Sequence, residues 1–196
     1  METTDKNLIR AHLKGNPAAF NELVNRYGNI VLGYLIQMCG DRHQAEDFFQ
    51  ETFKRVHQKA HTFRGSRLKP WLLTIATNVA LDGFRRNKIL KAVSLNQKTD
   101  CSNGDCGESG TVAISDNSCN PLDEALKAER KEQVRQAIGF LPTRQRATLV
   151  LAYYQQLSYP EVATVLGCSV GTVKTQMYRA LKTLAQKLPE FAGETK

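Results

Sequence analysis

Between Ala92 and Pro121 the chain reads AVSLNQKTDCSNGDCGESGTVAISDNSCNP, a run rich in Ser, Asn, Gly and Asp and poor in large apolar side chains. A loop without structure of its own is uncommon inside one compact domain beyond about 15 residues. The run therefore divides the chain of 196 residues into two small units, residues 1–91 and 123–196, joined by a flexible linker over 92–122.

Both units read as helical. Asn16 before Pro17 is a helix start, a capping side chain ahead of a residue whose fixed φ suits the first turn. Phe20, Leu23, Val24, Tyr27, Val31, Leu35 and Met38 then recur at steps of three and four, up to the break at Gly40-Asp41. A second helix is predicted from about Arg42 to Ala60, with Ala45, Phe48, Phe49, Thr52, Phe53 and Val56 inward. A third begins at Pro70 and carries Trp71, Leu72, Ile75, Ala76, Val79 and Ala80 on one side as far as Arg86, and the unit ends near Leu90. Beyond the linker, one helix runs from Pro121 to before Pro142 and another from Arg144 to Tyr154. Neither unit contains a convincing strand, so the fold class is all-α, two small helical domains.

The segment SYPEVATVLGCSVGTVKTQMYRAL, Ser158 to Leu181, carries the steric marks of a helix-turn-helix. Ser158 and Glu161 make an S-x-x-E capping box with Pro160 in the first turn. Ala163 is small where two helices cross, Gly167 stands where the turn needs positive φ, and Val173 closes the core from the second helix. Ser169 caps that second helix, and Ser169, Thr172, Lys174, Thr175, Tyr178 and Arg179 are its exposed positions. Such a helix places its first turns in the major groove: Lys174 and Thr175 then meet base edges, while Thr172, Arg179 and the helix N-terminus hold phosphates.

The charge distribution points the same way. The formal net charge is +8, which favours an anionic partner. From Lys54 to Lys91 the only acid is Asp82, and from Ser169 to Leu188 there is none, whereas the first fifty residues lean acidic. A chain acidic at one end and basic in two separate places suggests more than one kind of partner. In FRGSRLKPWLLTIATNVALDGFRR, Phe63 to Arg86, a loop with Arg64, Arg67 and Lys69 abuts Trp71 and a helix bearing Asn78 and Arg85. Cations beside flat and amide side chains suit an opened strand better than a duplex.

The blocks AFNELVNRYG, AEDFFQETFKRV, FRGSRLKPWLLTIATNVALDGFRR and LPTRQRATLVLAYYQQLSYPEVATVLGCSVGTVKTQMYRALKTL occur in this order. Together they resemble a bacterial RNA polymerase sigma factor of the sigma-70 family, in the extracytoplasmic function group that keeps only regions 2 and 4. The resemblance implies that 1–91 is region 2 and 123–196 is region 4. It implies that Glu46, Asp47, Gln50 and Glu51 lie on a region 2.2 helix that docks on the β′ clamp helices of core RNA polymerase. The β flap would hold region 4. It assigns Arg64, Arg67, Lys69, Trp71, Asn78, Arg85 and Arg86 to capture of the −10 non-template strand. Ser169, Thr172, Lys174, Thr175, Gln176, Tyr178 and Arg179 would read the −35 duplex of promoter DNA. An anti-sigma factor is a further candidate partner, which the group often but not always uses. The chain departs from the family at Thr74 and Thr77, where basic residues are common, and at Thr175-Gln176, which replace a frequent Ser-Arg pair. By the same resemblance the linker acids Asp100, Asp105, Glu108 and Asp116 would thread the RNA exit path as nucleic-acid mimics.

No P-loop, HExxH, G-x-G-x-x-G or nucleophile elbow is present, so no catalysis, cofactor or metal is expected. His57 and His61, one helical turn apart, read as a solvated face rather than a metal pair. No run reaches the roughly 20 apolar residues of a membrane span, and the N-terminus lacks a secretory signal pattern; the cytoplasm is the expected location. Two rival readings stay open. One is a free-standing helix-turn-helix regulator that never joins polymerase. The other is a thiol or zinc sensor on Cys101, Cys106 and Cys119, with His61 as the candidate further ligand, whose C-x4-C then x12-C spacing fits structural zinc sites poorly.

Overall fold

The computed structural model describes residues 4–65, 67–95 and 121–188, with side chains described over all of these but 91–95 and 121–128. The linker acids and Cys101, Cys106 and Cys119 lie outside the described residues. Eight α-helices form within them: α1 (Asp5–Leu13), α2 (Pro17–Cys39), α3 (Arg42–Lys59), α4 (Leu68–Leu95), α5 (Pro121–Gly139), α6 (Thr143–Leu149), α7 (Tyr159–Leu166) and α8 (Val170–Lys187). A 3-10 turn at Ala60–Thr62 follows α3, and a π-helical turn at Val150–Tyr154 follows α6.

The termini of α2 and α3 follow from local chemistry. Asn16 accepts a hydrogen bond from the Ala18 amide at 3.0 Å, and Pro17 opens α2 where no donor is missed. Gly40, in the left-handed region at φ 73°, ends it; a side chain there would be strained. The Asp41 carboxylate accepts from the His43 and Gln44 amides and starts α3. Helix α4 runs on to Leu95, past the expected end near Leu90, because nothing between Arg86 and Leu95 is a Gly or Pro that would stop it.

In the first module α2 is the central helix, packed by α1, α3 and α4. Leu23, Val31, Tyr34, Leu35 and Met38 of α2 meet Phe53 and Val56 of α3 and Leu72, Leu73 and Ala76 of α4 in one buried cluster. Helix α1, which lies in a stretch without a predicted element, adds Leu8 and Ile9 to that cluster. It is fastened at its start: the Asp5 carboxylate accepts from Arg26 Nη1 at 3.1 Å and from the Tyr27 hydroxyl at 2.6 Å. One polar pair is wholly enclosed. The Tyr34 hydroxyl meets Thr77 Oγ1 at 2.7 Å, and Thr77 in turn donates to the Leu73 carbonyl at 2.6 Å. Where α3 crosses α4, Gly83 permits the approach; a Cβ there would lie 2.2 Å from the tip of the Phe48 ring.

The second module is built on α6, α7 and α8, with α5 against α8. Val173, Met177 and Ala180 form the buried stripe of α8 at helical spacing. The two modules touch through α4 with α7 and through α2 with the π-helical turn.

Candidate nucleic-acid interface

The helix-turn-helix forms as its residues dictate. Glu161 Oε2 accepts from the Ser158 amide at 2.9 Å and from the Ser158 hydroxyl at 2.6 Å, closing the capping box at the start of α7. These bonds first, and then Arg67 and Lys69 nearby, hold the Glu161 carboxyl below its ordinary range. Ala163 is buried, and Gly167 takes φ 62°, ψ 41° in the turn. Ser169 Oγ accepts from the Thr172 amide at 3.1 Å and caps α8.

On α8, Ser169, Thr172, Lys174, Thr175, Tyr178 and Arg179 are exposed and Gln176 is half-buried. Three hydroxyls are already engaged inside the helix: Ser169 and Thr172 with each other at 2.9 Å, and Thr175 with the Gly171 carbonyl at 3.0 Å. Lys174, Tyr178 and Arg179 are therefore the long side chains on the outward face, with Tyr178 67% exposed. No acid interrupts that face between Ser169 and Leu188.

In the first module α4 starts at Leu68 and not at Pro70, so Arg64 and Arg67 precede the helix and Lys69 lies in its first turn. Phe63 and Trp71 meet edge to face, with centroids 5.4 Å apart, and both are half-buried. Trp71 thus belongs partly to the packing and presents its remaining surface beside the loop. Arg64, Asn78, Arg85 and Arg86 are exposed, and Arg85 leans on Asp82 at 3.3 Å. Thr74 donates to the Pro70 carbonyl and Thr77 is buried, so neither hydroxyl is offered to a phosphate. Arg67 and Lys69 are brought to the other module: Arg67 Nη1 lies 2.7 Å from Glu161 Oε1, and Lys69 Nζ donates to the Gln155 carbonyl at 2.8 Å.

The four residues expected to face a protein partner lie on α3. Asp47 and Gln50 are exposed. Glu46 pairs with Arg42 at 2.9 Å and Glu51 with Arg55 at 2.8 Å, each one turn away. Arg55 also reaches Asp82 of α4 at 3.6 Å, so Glu51 belongs to the α3–α4 contact as well as to the surface.

His57 finds its neighbour in α1 and not in His61. Its ring lies 4.9 Å from that of His12, and Phe20 stacks on His12 at 4.8 Å. Burial, and then His57, push His12 below its ordinary value. Among the described residues no group of three or more His, Cys, Asp or Glu could hold a metal ion, and no helix is long and apolar enough to cross a membrane. Sequence reasoning missed Arg146. Its guanidinium donates to the Met38 carbonyl at 2.6 Å, to the Leu141 carbonyl at 3.2 Å and to the Gly139 carbonyl, joining the ends of α2 and α5. Its Met38 partner is 108 residues away, so no local pattern announces it.

Comparison with known proteins agrees with this division. The family model described as "Sigma-70 region 2" matches residues 23–89, and the one described as "Sigma-70, region 4" matches residues 131–184. The chain is 32% identical over 192 residues to the "ECF RNA polymerase sigma factor SigW" of Bacillus subtilis, covering 97% of this chain and 100% of that protein. It is 31% identical over 192 residues to the "RNA polymerase sigma-H factor" of Pseudomonas aeruginosa, covering 97% and 96%. Among solved structures, CnrH in complex with the cytosolic domain of CnrY is similar with a TM-score of 0.63 at 25% identity, over 96% of this chain and 99% of that one. The sigma factor RpoE of Bartonella quintana, in complex with the anti-sigma factor NepR, shares the fold at a TM-score of 0.64 and 23% identity, over 87% and 96%.

Proposed function

The chain belongs to the ECF group of sigma-70 RNA polymerase sigma factors, and from that premise we propose how its residues divide the work of starting transcription. It binds core RNA polymerase and directs it to promoters. Asp47 and Gln50, exposed on α3, dock on the polymerase, with Glu46 and Glu51 shaping the same face through their partners Arg42 and Arg55. The second module, with a surface for the β flap, reads the −35 duplex with α8. There Lys174 and Thr175 lie toward base edges beside Gln176 and Tyr178, and Arg179, Thr172 and the capped N-terminus at Ser169 hold phosphates.

The first module takes the −10 non-template strand. Arg64, Arg67 and Lys69 supply a cationic approach and Trp71 an aromatic surface, and Asn78, Arg85 and Arg86 line the exposed side of α4. The observation that carries this reading is the pairing, on one chain, of an acid-free helix-turn-helix face with a second cationic segment next to a half-buried tryptophan. One duplex reader and one strand reader are what a promoter with two boxes requires. The chain acts as a regulatory initiation factor in the cytoplasm, with the chemistry of RNA synthesis left to the polymerase.

The test is reconstitution. Transcript 5′ ends sequenced after overexpression identify a shared pair of upstream boxes. Purified chain added to sigma-free core polymerase then yields transcripts from a template carrying those boxes and none from a template with either box scrambled. Absence of specific transcripts overturns the reading.

A further inference from the structure

We infer that Asp82 is a positioning residue for capture of the −10 strand: its carboxylate holds Arg85 of α4 in a fixed place relative to Arg55 of α3, so that the helix docking on polymerase sets where a strand-reading cation stands. The inference rests on the assignment of Arg85 to the −10 strand. Its structural half stands on contacts within the first module alone.

From Lys54 to Lys91 the chain sets this single acid against ten Lys and Arg. A carboxylate on a surface that takes a phosphate backbone opposes the ligand by plain repulsion, so its presence there calls for another role. Its two oxygens are divided. Oδ1 lies 3.3 Å from Arg85 Nη1, one turn ahead on α4, and Oδ2 lies 3.6 Å from Arg55 Nη1 across the helix crossing. Arg55 Nε in turn donates to Glu51 Oε1 at 2.8 Å. Glu51, Arg55, Asp82 and Arg85, alternating in sign, thus run from the docking face of α3 to the exposed side of α4. Arg86, the next residue, is exposed and has no ion pair among the described residues.

The α3 end of this chain of charges is firm. Gly83, the neighbour of Asp82, lies where a Cβ would collide with the Phe48 ring, and Phe48 meets Phe84 edge to face with centroids 5.9 Å apart. The residues after Asp82 are thereby pressed against α3, which fixes where its carboxylate stands. The Arg55 side chain is 23% exposed and that of Arg85 65%, so the array is held at α3 and open at the end that meets DNA. A lone exposed pair contributes little, whereas several charges joined in one network do hold side chains in place. Ordering Arg85 before the strand arrives removes part of the entropy that a long free cation loses on binding. Arg86 lacks that support and acts as an independent phosphate contact.

Asp82→Asn keeps the shape of the side chain and removes its charge. The full chain, saturated with core polymerase, is titrated with fork-junction DNA whose single-stranded non-template end carries the −10 box mapped from transcript 5′ ends. Low salt is used, where surface charges are least screened. Charge alone predicts that losing an acid tightens binding. A positioning role predicts that Asp82→Asn loosens it about two- to ten-fold, the lower part of the range for coupled neighbours, and that Asp82→Glu recovers part of the loss. Arg85→Ala weakens binding by a similar factor, and adding Asp82→Asn to it costs nothing more, whereas the effects of Asp82→Asn and Arg86→Ala multiply. Binding of Asp82→Asn equal to or tighter than wild type, or multiplication in the Arg85 pair, overturns the inference. A second readout uses neither DNA nor polymerase. In nitrogen-15 NMR relaxation of the free chain the Arg85 Nε–H group is more ordered than that of Arg86, and Asp82→Asn brings the two to the same level. An Arg85 as mobile as Arg86 in the wild type overturns the tether. If the tether is seen and Arg85→Ala leaves fork binding unchanged, the assignment of Arg85 to the strand fails, and the positioning role with it, while the contact stands.

Discussion

Replacing Thr77 by valine exchanges a hydroxyl for a methyl of nearly the same volume in a site with no exposure, so it opens no cavity. What changes is one acceptor. In the native chain the Tyr34 hydroxyl donates to Thr77 Oγ1 at 2.7 Å, and Thr77 passes its own proton to the Leu73 carbonyl at 2.6 Å. After the change Leu73 keeps the helical amide bond that its position in α4 provides, but the fully buried Tyr34 hydroxyl has nowhere to donate. An orphaned buried donor costs about 1–3 kcal/mol. Tyr34→Phe removes the donor itself and should cost less, about 0.5–1.5 kcal/mol, since Thr77 still reaches Leu73. The double variant leaves no orphan, so it should be more stable than the sum of the two singles by roughly 1 kcal/mol. The chain has one tryptophan, Trp71, on the same helix, so its fluorescence follows unfolding of the first module. For a urea m-value of about 1–2 kcal/mol/M, a loss of about 2 kcal/mol moves the midpoint by about 1–2 M. A Thr77→Val midpoint equal to wild type, or strictly additive singles, would refute the reasoning.

Gly167→Ala meets no neighbouring atom within 4 Å, so its cost is purely that of φ 62°; about 1–2 kcal/mol should be lost from the second module by thermal unfolding, and Gly167→Asn should recover part of it. The pair Asp47→Ala and Gln50→Ala together should weaken binding to core polymerase by about 1 kcal/mol or more while circular dichroism stays unchanged; equal affinity in a titration would remove α3 from that interface. Arg179→Ala should weaken binding to −35 duplexes evenly across sequences and lower the slope of log affinity against log salt by about 1, and a loss confined to one base position would reassign it to a base edge. The folded Glu161 carboxyl titrates below its ordinary value of 4.5. Its contribution is therefore complete above that pH and lost as pH falls through the lowered value, so acid should destabilise the wild-type second module more steeply than Glu161→Gln in a pH series of melts.

What the sequence discloses is what neighbouring residues decide. Asn16, Gly40, the Ser158–Glu161 box and Gly167 each act on the backbone within a few residues, and their caps and turns formed where the pattern put them. The buried stripes of α2 and α3 followed from apolar spacing for the same reason, and on α8 Val173 alone was expected. Helix α1 escaped because nine residues give too few turns to establish a period, and its two core residues, Leu8 and Ile9, are adjacent. Trp71 was assigned to the site, and its contact with Phe63 shows it shared between packing and surface. Contacts across long separations left no trace: Lys69 with Gln155 spans 86 residues and Arg146 with Met38 spans 108. Such partners are chosen by how helices pack, which the order of residues along one helix does not reveal. His57 illustrates the same limit, since its nearest ring comes from α1 and not from the next turn of its own helix.

The π-helical turn at Val150–Tyr154 makes the spacing between α6 and the recognition unit a matter of residue number. Its wide closure, from the Gln155 amide back to the Val150 carbonyl at 3.0 Å, stores one residue more than an ordinary turn would. Deleting a single residue here would let the ladder revert to the regular repeat with the flanking residues keeping their faces, whereas the same deletion inside the regular helix α8 would rotate everything after it by about 100°. A length change of one codon is therefore absorbed at this turn, while the same change within α8 would re-aim the DNA-facing side chains beyond it.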